Sequence, residues 1–509
     1  MRPIIQLFGK ILAPNAQRFQ QALKRPDLTQ RWVQKEIVAR LIKSAYGRAL
    51  GINSIKDWWR VPLVDYEDII PWLKPTVQHH KYQQISLTPE PILFFEKTSG
   101  SSGAMKLIPY TQSLRRSFNQ MFCVWAYDLI VNGPDFSTGK IYACISPRLN
   151  EADSQNLQND LDYLDGWLRF FLRPWLLLPE QLNNLNNIPA FKHQLALALL
   201  KAEALEIISI WSPTFLQILL KYIQENQQLL QAELQQRISL NRLKLLSESP
   251  IPWQQIWPSL KLISCWDSAN AAVQAQGLRS QFPGVLVQGK GLLATEAPMT
   301  IPLIKARGYV PVLDEVFFEF EDNQGVLLSL TELTIGQEYR LILSQKGGLY
   351  RYRIGDCVRV THYYQNTPCL EFLGRYQSLS DLVGEKLSET FVNNALTRLN
   401  LPSTNFKSLV PVAAPPHYLL LLDRAEETPA MIAQKLDSIL SESYHYRRAR
   451  GLGQLEPPEV FISPQIPELL VSYHIRTGSI WGGIKHPMLA TSPLSTQLLR
   501  EIRKMYNPE

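Results

Sequence analysis

The sequence predicts an α/β protein: a large N-terminal domain of mixed sheets and helices, followed by a small, mobile α+β domain. Three observations carry this. Short apolar runs such as Leu93-Phe94-Phe95 and Ile207-Ile208-Ser209-Ile210-Trp211 alternate with longer segments of three-and-four apolar spacing. The chain has 509 residues, room for two to four domains, with 45% hydrophobic and 19% charged residues. Its pattern also changes character near residues 374–380. The expected division is a domain over 1–374, a hinge over 375–380 and a lid domain over 381–509.

The net charge of +7 and pI near 9.0 come from dispersed basic residues. The one dense cluster, Arg447-Arg448-Ala449-Arg450, reads as a solvated helix end, so no nucleic-acid partner is expected. A general positive field favours anionic small molecules. The five cysteines (Cys123, Cys144, Cys265, Cys357, Cys369) form no C-x-x-C pair, which reads as reduced thiols in a cytoplasmic protein. The eight histidines form no zinc-binding group. Residues 1–13 are apolar, but Gly9-Lys10 interrupts them and no cleavage site follows. No apolar run reaches the ~18–20 residues of a membrane span. A monomer is expected.

In order, residues 15–48 read as one helix, with Phe19, Leu23, Trp32, Ile37, Leu41 and Tyr46 at helical spacing. Leu93-Phe94-Phe95 reads as a buried strand and Thr111 as the cap of a helix over 111–131. Strands are expected at 140–146, 207–211, 260–266, 285–291, 316–321, 339–344 and 370–375, with a polar surface excursion at 150–159 and a helix-rich region from 191 to 246. The C-terminal unit reads as a helix over 391–399, strands at 410–412, 418–422 and 460–462, a single long helix over 430–450, and a last helix over 492–505.

Between the first strand and Thr111 lies Thr98-Ser99-Gly100-Ser101-Ser102-Gly103, with Lys106 three residues on. Small residues let a backbone approach an anion, hydroxyls donate to its oxygens, and a lysine supplies a point charge. A polyphosphate needs all three. Taken alone, such a cluster is as well explained as a simple connection, and it fits neither the Walker nor the Rossmann pattern. Further along, Thr295-Glu296 offers a hydroxyl for phosphate and a hard oxygen ligand for Mg²⁺. Asp356, after Ile354-Gly355, places a carboxylate at an expected strand end, where it suits paired ribose hydroxyls or a plain turn. Arg375 joins that ribose or forms a surface salt bridge. Lys485, in Gly482-Gly483-Ile484-Lys485-His486-Pro487, is a solvated loop lysine or a cation for charge building at an α-phosphate.

Other stretches decide between these readings. Ala45-Tyr46-Gly47-Arg48, Val61-Pro62-Leu63 and Asp65-Tyr66-Glu67 resemble the opening of the Gretchen Hagen three family, the auxin-responsive acyl acid amido synthetases. The succession of serine-glycine loop, Thr-Glu, Tyr350-x-Tyr352-x-x-Gly355-Asp356, Gly374-Arg375 and a late lysine is similar to the wider firefly luciferase-like, acyl-adenylate-forming superfamily. The chain departs from the family at Leu292, where relatives carry an aromatic, and at Lys485-His486-Pro487-Met488, which lacks the arginine of K-x-P-R.

The resemblance implies a ligase. ATP and a carboxylic acid would give an acyl-adenylate, and an amine, typically an amino acid, would then displace AMP to leave an amide. It also implies roles: Thr98, Ser99, Gly100, Ser101, Ser102, Gly103 and Lys106 around the phosphates, Thr295 on phosphate, Glu296 on Mg²⁺, Asp356 and Arg375 on ribose, and Lys485 in adenylation. An acyl-CoA ligase or a non-catalytic nucleotide- and carboxylate-binding protein would share much of this pattern. Trp125, Trp211 and Phe215 are candidates for an apolar acid pocket or for core packing.

Overall fold

A computed structural model of the chain describes residues 2–78, 87–97, 106–143, 166–177, 188–375, 379–477, 484 and 486–506. The expected N-terminal helix is in fact three: α1 (Arg2–Lys24), α2 (Pro26–Leu41) and α3 (Ala45–Ala49). Pro26 causes the first break. A residue before proline is driven out of the helical region, and Arg25 sits at φ −135°, ψ 59°. Ser44 caps α3, its Oγ accepting from the Gly47 amide at 2.9 Å. Helix α4 spans Tyr66–Gln78.

Strands β1 (Ile92–Lys97) and β2 (Leu107–Thr111) pair antiparallel. The first is not fully buried as expected. A two-stranded ribbon covers one face only, so Leu93 is 44% exposed while Phe94 stacks on Tyr110 at 4.8 Å. Thr111 caps α5 (Gln112–Asn132) as its position predicts, Oγ1 accepting from the Leu114 amide at 3.3 Å. Helix α6 (Gly166–Leu172) then packs beside α1, sharing a small core with Phe8 and Leu12.

A four-stranded parallel sheet follows, in order β3 (Lys140–Ala143), β4 (Leu205–Ser209), β5 (Leu262–Cys265) and β6 (Leu286–Gly289). Helices between residues 188 and 281 wrap it, and Phe215, Ile263 and Phe282 lie in their shared core. Two hairpins come next: β7 (Leu293–Ala294) with β8 (Ala297–Pro298), and β9 (Thr300–Leu303) with β10 (Gly308–Pro311).

A five-stranded antiparallel sheet is built from β11 (Val316–Glu321), β12 (Leu327–Ser329), β13 (Glu338–Gln345), β14 (Tyr352–Tyr364) and β15 (Thr367–Arg375), ordered β12-β11-β13-β14-β15. Its inner face packs on Val33, Ile37 and Leu41 of α2. Gln30 locks that contact: its amide donates to the Leu313 and Val316 carbonyls at 2.7 Å each and accepts from the Phe318 amide at 2.8 Å.

The C-terminal unit holds β16 (Leu379–Ser380) with β17 (Leu387–Ser388), and a sheet of β18 (Lys407–Ala413), β19 (Pro416–Leu422) and β20 (Glu459–Ile462). The long helix expected over 430–450 is two, Pro429–Leu440 and Tyr444–Gly451. Ser443 takes the N-cap position of the second, and serines favour caps over helix interiors. Tyr444 is consequently exposed, Tyr446 is buried, and Arg450 forks onto Asp437 at 2.9 and 3.0 Å.

Candidate active site

The segment after α3 is tied to the start of β14. The Val64 amide donates to the Arg351 carbonyl at 3.1 Å, and the Arg353 amide donates back to Val64 at 2.9 Å. Arg351 completes the joint, donating to the Val61 carbonyl at 2.8 Å and, through a two-pronged fork, to Glu319 at 2.9 Å each. This fixes Tyr66 against the foot of β2. Its hydroxyl accepts from the Leu107 amide at 2.7 Å, and its ring lies 5.4 Å beneath the Lys106 ammonium.

Asp356 is not at a strand end but inside β14, and a distortion aims it. The β13–β14 register slips between Arg340 and Ile342, opposite residues 354–356, and Gly355 takes φ +84° there with open space around it. A bulge of this kind re-aims a side chain. On β15, Gly374 takes φ +140° beside a second register shift. Between these two glycines Asp356 and Arg375 face each other as cross-strand partners, Nε to Oδ1 3.5 Å.

Thr295 and Glu296 form the turn between β7 and β8. Thr295 is half-buried and Glu296 is buried. Burial is the main cause holding the Glu296 carboxyl above the usual range; Asp356 adds to it, while Arg375 and Lys106 oppose. Glu296 therefore senses the charges of Asp356, Arg375 and Lys106, residues up to 269 positions apart in the chain. The Tyr352 hydroxyl is raised by burial first, then by Glu296 and by Glu67 and Asp65 on the α4 side. Tyr66 and Tyr352 were not singled out from the sequence, although both lie within motifs that were. Thr98–Gly103 and Lys485 fall outside the described residues.

A second group lines the carboxyl ends of the parallel strands, where open α/β sheets bind ligands. Lys290, just past β6, donates to Ser209 Oγ at 2.8 Å and lies 4.9 Å over the Trp211 ring. Trp211 packs against Trp266 at 5.7 Å, and Trp125 Nε1 donates to Gln288 at 2.9 Å. Trp125 and Trp211 stay half-buried here; Phe215 is fully enclosed in the helical core.

Comparison with known proteins bears on this arrangement. Residues 15–287 match the GH3 family N-terminal domain, 309–375 its central domain and 387–493 its C-terminal domain. This chain belongs to the GH3 family. Indole-3-acetic acid-amido synthetase GH3.2 of Arabidopsis thaliana is 23% identical over 434 residues, 73% of this chain and 78% of that protein. Probable indole-3-acetic acid-amido synthetase GH3.11 of Oryza sativa subsp. japonica is 31% identical over 198 residues, 34% of this chain. That match and the next span about a third of the relatives' length, 32% and 33%.

In architecture, the GH3 chain matches the GH3.15 acyl acid amido synthetase with a TM-score of 0.77 at 18% identity, over 96% of this chain and 95% of that one. A 2-hydroxyisobutyryl-CoA ligase bound to 2-HIB-AMP aligns at TM-score 0.51 and 13% identity, over 98% and 92%. The fold is thus the GH3 fold, a large mixed α/β domain with a smaller C-terminal one. Among the described residues of this GH3 chain, no cluster of three or more Asp, Glu, His or Cys could hold a metal by itself. A lone buried carboxylate such as Glu296 fits a Mg²⁺ that carries most of its ligands with it, as water and phosphate oxygens.

Proposed function

We propose that this GH3 protein activates a carboxylic acid with ATP as an acyl-adenylate and transfers the acyl group to an amine, an amino acid in the leading reading. The observation that carries the proposal is that Lys106, Asp356 and Arg375, from distant stretches, all act on the charge of the buried Glu296, with Asp356 and Arg375 paired across adjacent strands. Relatives named as amido synthetases supply the choice of acceptor.

In this reading Asp356 and Arg375 hold the ribose, the carboxylate accepting from its hydroxyls. Lys106, steadied over Tyr66, neutralises the β- and γ-phosphates together with the Thr98–Gly103 loop. Thr295 donates to a phosphate oxygen, and Glu296 would hold Mg²⁺. The ion, when bound, offsets triphosphate charge. Lys485 serves adenylation as charge builds at the α-phosphate. The protein's work is placement and charge compensation rather than covalent chemistry. The unit over 381–509 swings on residues 375–380 between half-reactions, and the protein acts as a cytoplasmic monomer. The tryptophan-lined group around Lys290 receives the acid.

The decisive experiment is exchange of labelled pyrophosphate into ATP across a panel of carboxylic acids. Acid-dependent exchange that disappears in both Lys106→Ala and Glu296→Ala is the expected result. Exchange at the unmodified rate in both variants removes the assigned site. No exchange with any acid points to a nucleotide-binding sensor. Trapping with amino acids against coenzyme A then identifies the acceptor.

A further inference from the structure

Helix α1 is apolar on more than its buried side. Ile5, Phe8 and Leu12 face the core, as an amphipathic helix requires. Yet Ile4, Leu7 and Ile11 form a second stripe at the same i, i+3, i+7 spacing, and they are 50%, 56% and 42% exposed. Helix α6 extends this surface. Phe171 stacks on Phe8 at 6.0 Å, and Trp167 and Phe170 lie against Phe171 at 6.3 and 6.1 Å. Phe170 is 76% exposed. Isolated exposed apolar residues need no account, but a contiguous patch of six marks a contact surface.

Charge says what the partner is. The span Arg2–Lys24 contains four basic residues and no acidic one, and the span 166–175 contains two arginines and no acidic one. At the edges, Arg2 is paired with Asp135 and Arg18 with Asp314 and Glu315. Lys10 and Arg173 are exposed and form no ion pair among the described residues. An apolar, aromatic-bearing face flanked by the exposed basic side chains Lys10 and Arg173 is complementary to a bilayer surface of anionic lipids. No described helix is long and apolar enough to cross that bilayer.

From this we infer that α1 and α6 dock the protein on an anionic membrane surface, with Ile4, Leu7, Ile11 and Phe170 entering the headgroup boundary and Lys10 and Arg173 meeting lipid charge. None of the docking residues is among those proposed to bind ATP. Docking also accounts for Ile4, Leu7 and Ile11, which serve neither the core nor the proposed site.

The test is co-sedimentation of the full chain with vesicles of phosphatidylcholine alone and of phosphatidylcholine with phosphatidylglycerol in equal parts. Binding is expected only to the anionic vesicles, weakening as salt is raised. The double variant Leu7→Glu with Phe170→Glu should bind at least about tenfold more weakly. Its thermal transition and pyrophosphate exchange should be unchanged, since both side chains are solvent-facing. Leu240→Glu, at an exposed site elsewhere, should bind as the parent does. Absence of parent binding to anionic vesicles overturns the inference, as does equal binding by the double variant. Concentration-dependent dimers in light scattering, lost in the double variant, would assign the face to a second copy and overturn it too.

Discussion

Asp356 and Arg375 are cross-strand partners on β14 and β15, held between two glycines whose positive φ angles bend both strands at the same level. The pair is thus set by backbone distortion in two strands, not by two side chains finding each other on a regular sheet. If it holds a ribose, Asp356→Asn raises the KM for ATP with a smaller change in kcat. A lost charge-assisted hydrogen bond costs about 1.5–3 kcal/mol, roughly a ten- to hundredfold effect. Arg375→Ala should do likewise, and the double variant should lose less than the two effects combined. Steady-state exchange kinetics at varied ATP measure this; independent, multiplying effects would separate the two residues.

Glu296 gives a prediction that does not depend on finding the substrate. Burial lifts its carboxyl above the unfolded value of about 4.3, so the folded state binds the proton more tightly. Its contribution to stability is therefore greatest in acid and falls as pH rises from that value through the folded one. Glu296→Gln removes the burden. It should raise the melting temperature near neutral pH, with the gain vanishing at about pH 4, while exchange is lost. A variant less stable than the parent at neutral pH contradicts the reading that the ionised carboxylate is a net burden there.

Much of this was legible beforehand because it rests on local signals. Thr111 caps α5 from chemistry within four residues. The strand runs 316–321 and 418–422 alternate or are continuously apolar and fold as strands. What was missed depends on partners distant in sequence. Nothing near Tyr66 reveals that it meets Leu107, and the slip opposite Arg340 that turns Asp356 inward is a property of two strands together. The break at residues 441–443 was readable in Ser443 but was outweighed by the four-residue spacing of Ile432, Leu436 and Leu440.

Arg351 is expected to be a structural residue whose loss reaches the site. It sits at φ +48°, a region costly for a residue with a Cβ, and is kept there by Glu319 and the Val61 carbonyl. Arg351→Met leaves the largely covered Glu319 carboxylate without its fork. That should destabilise the protein by about 3–5 kcal/mol, read as a lower midpoint in denaturant. Arg351→Lys should recover little, because an ammonium cannot bridge both carboxylate oxygens and the carbonyl. Full recovery by lysine would reduce the joint to a point charge.

His486 predicts how the C-terminal unit responds to acid. The half-buried ring meets Phe406 edge-on at 5.3 Å, with His474 at 6.3 Å. Burial first, then the charge of His474, pushes its pKa down to about 3. The unfolded imidazole takes its proton near 6.5, so between those values the unfolded state binds a proton the folded state refuses. The stability this group contributes is present above about pH 6.5 and drains away as pH falls toward 3, by about 1.4 kcal/mol per pH unit. His486→Leu has no proton to take up. Whatever its stability at neutral pH, it should lose less than the parent between pH 7 and about pH 4.5, measured as the shift in denaturant midpoint. Equal losses in the two proteins would mean that His486 is reached by water and titrates as it does in the unfolded chain.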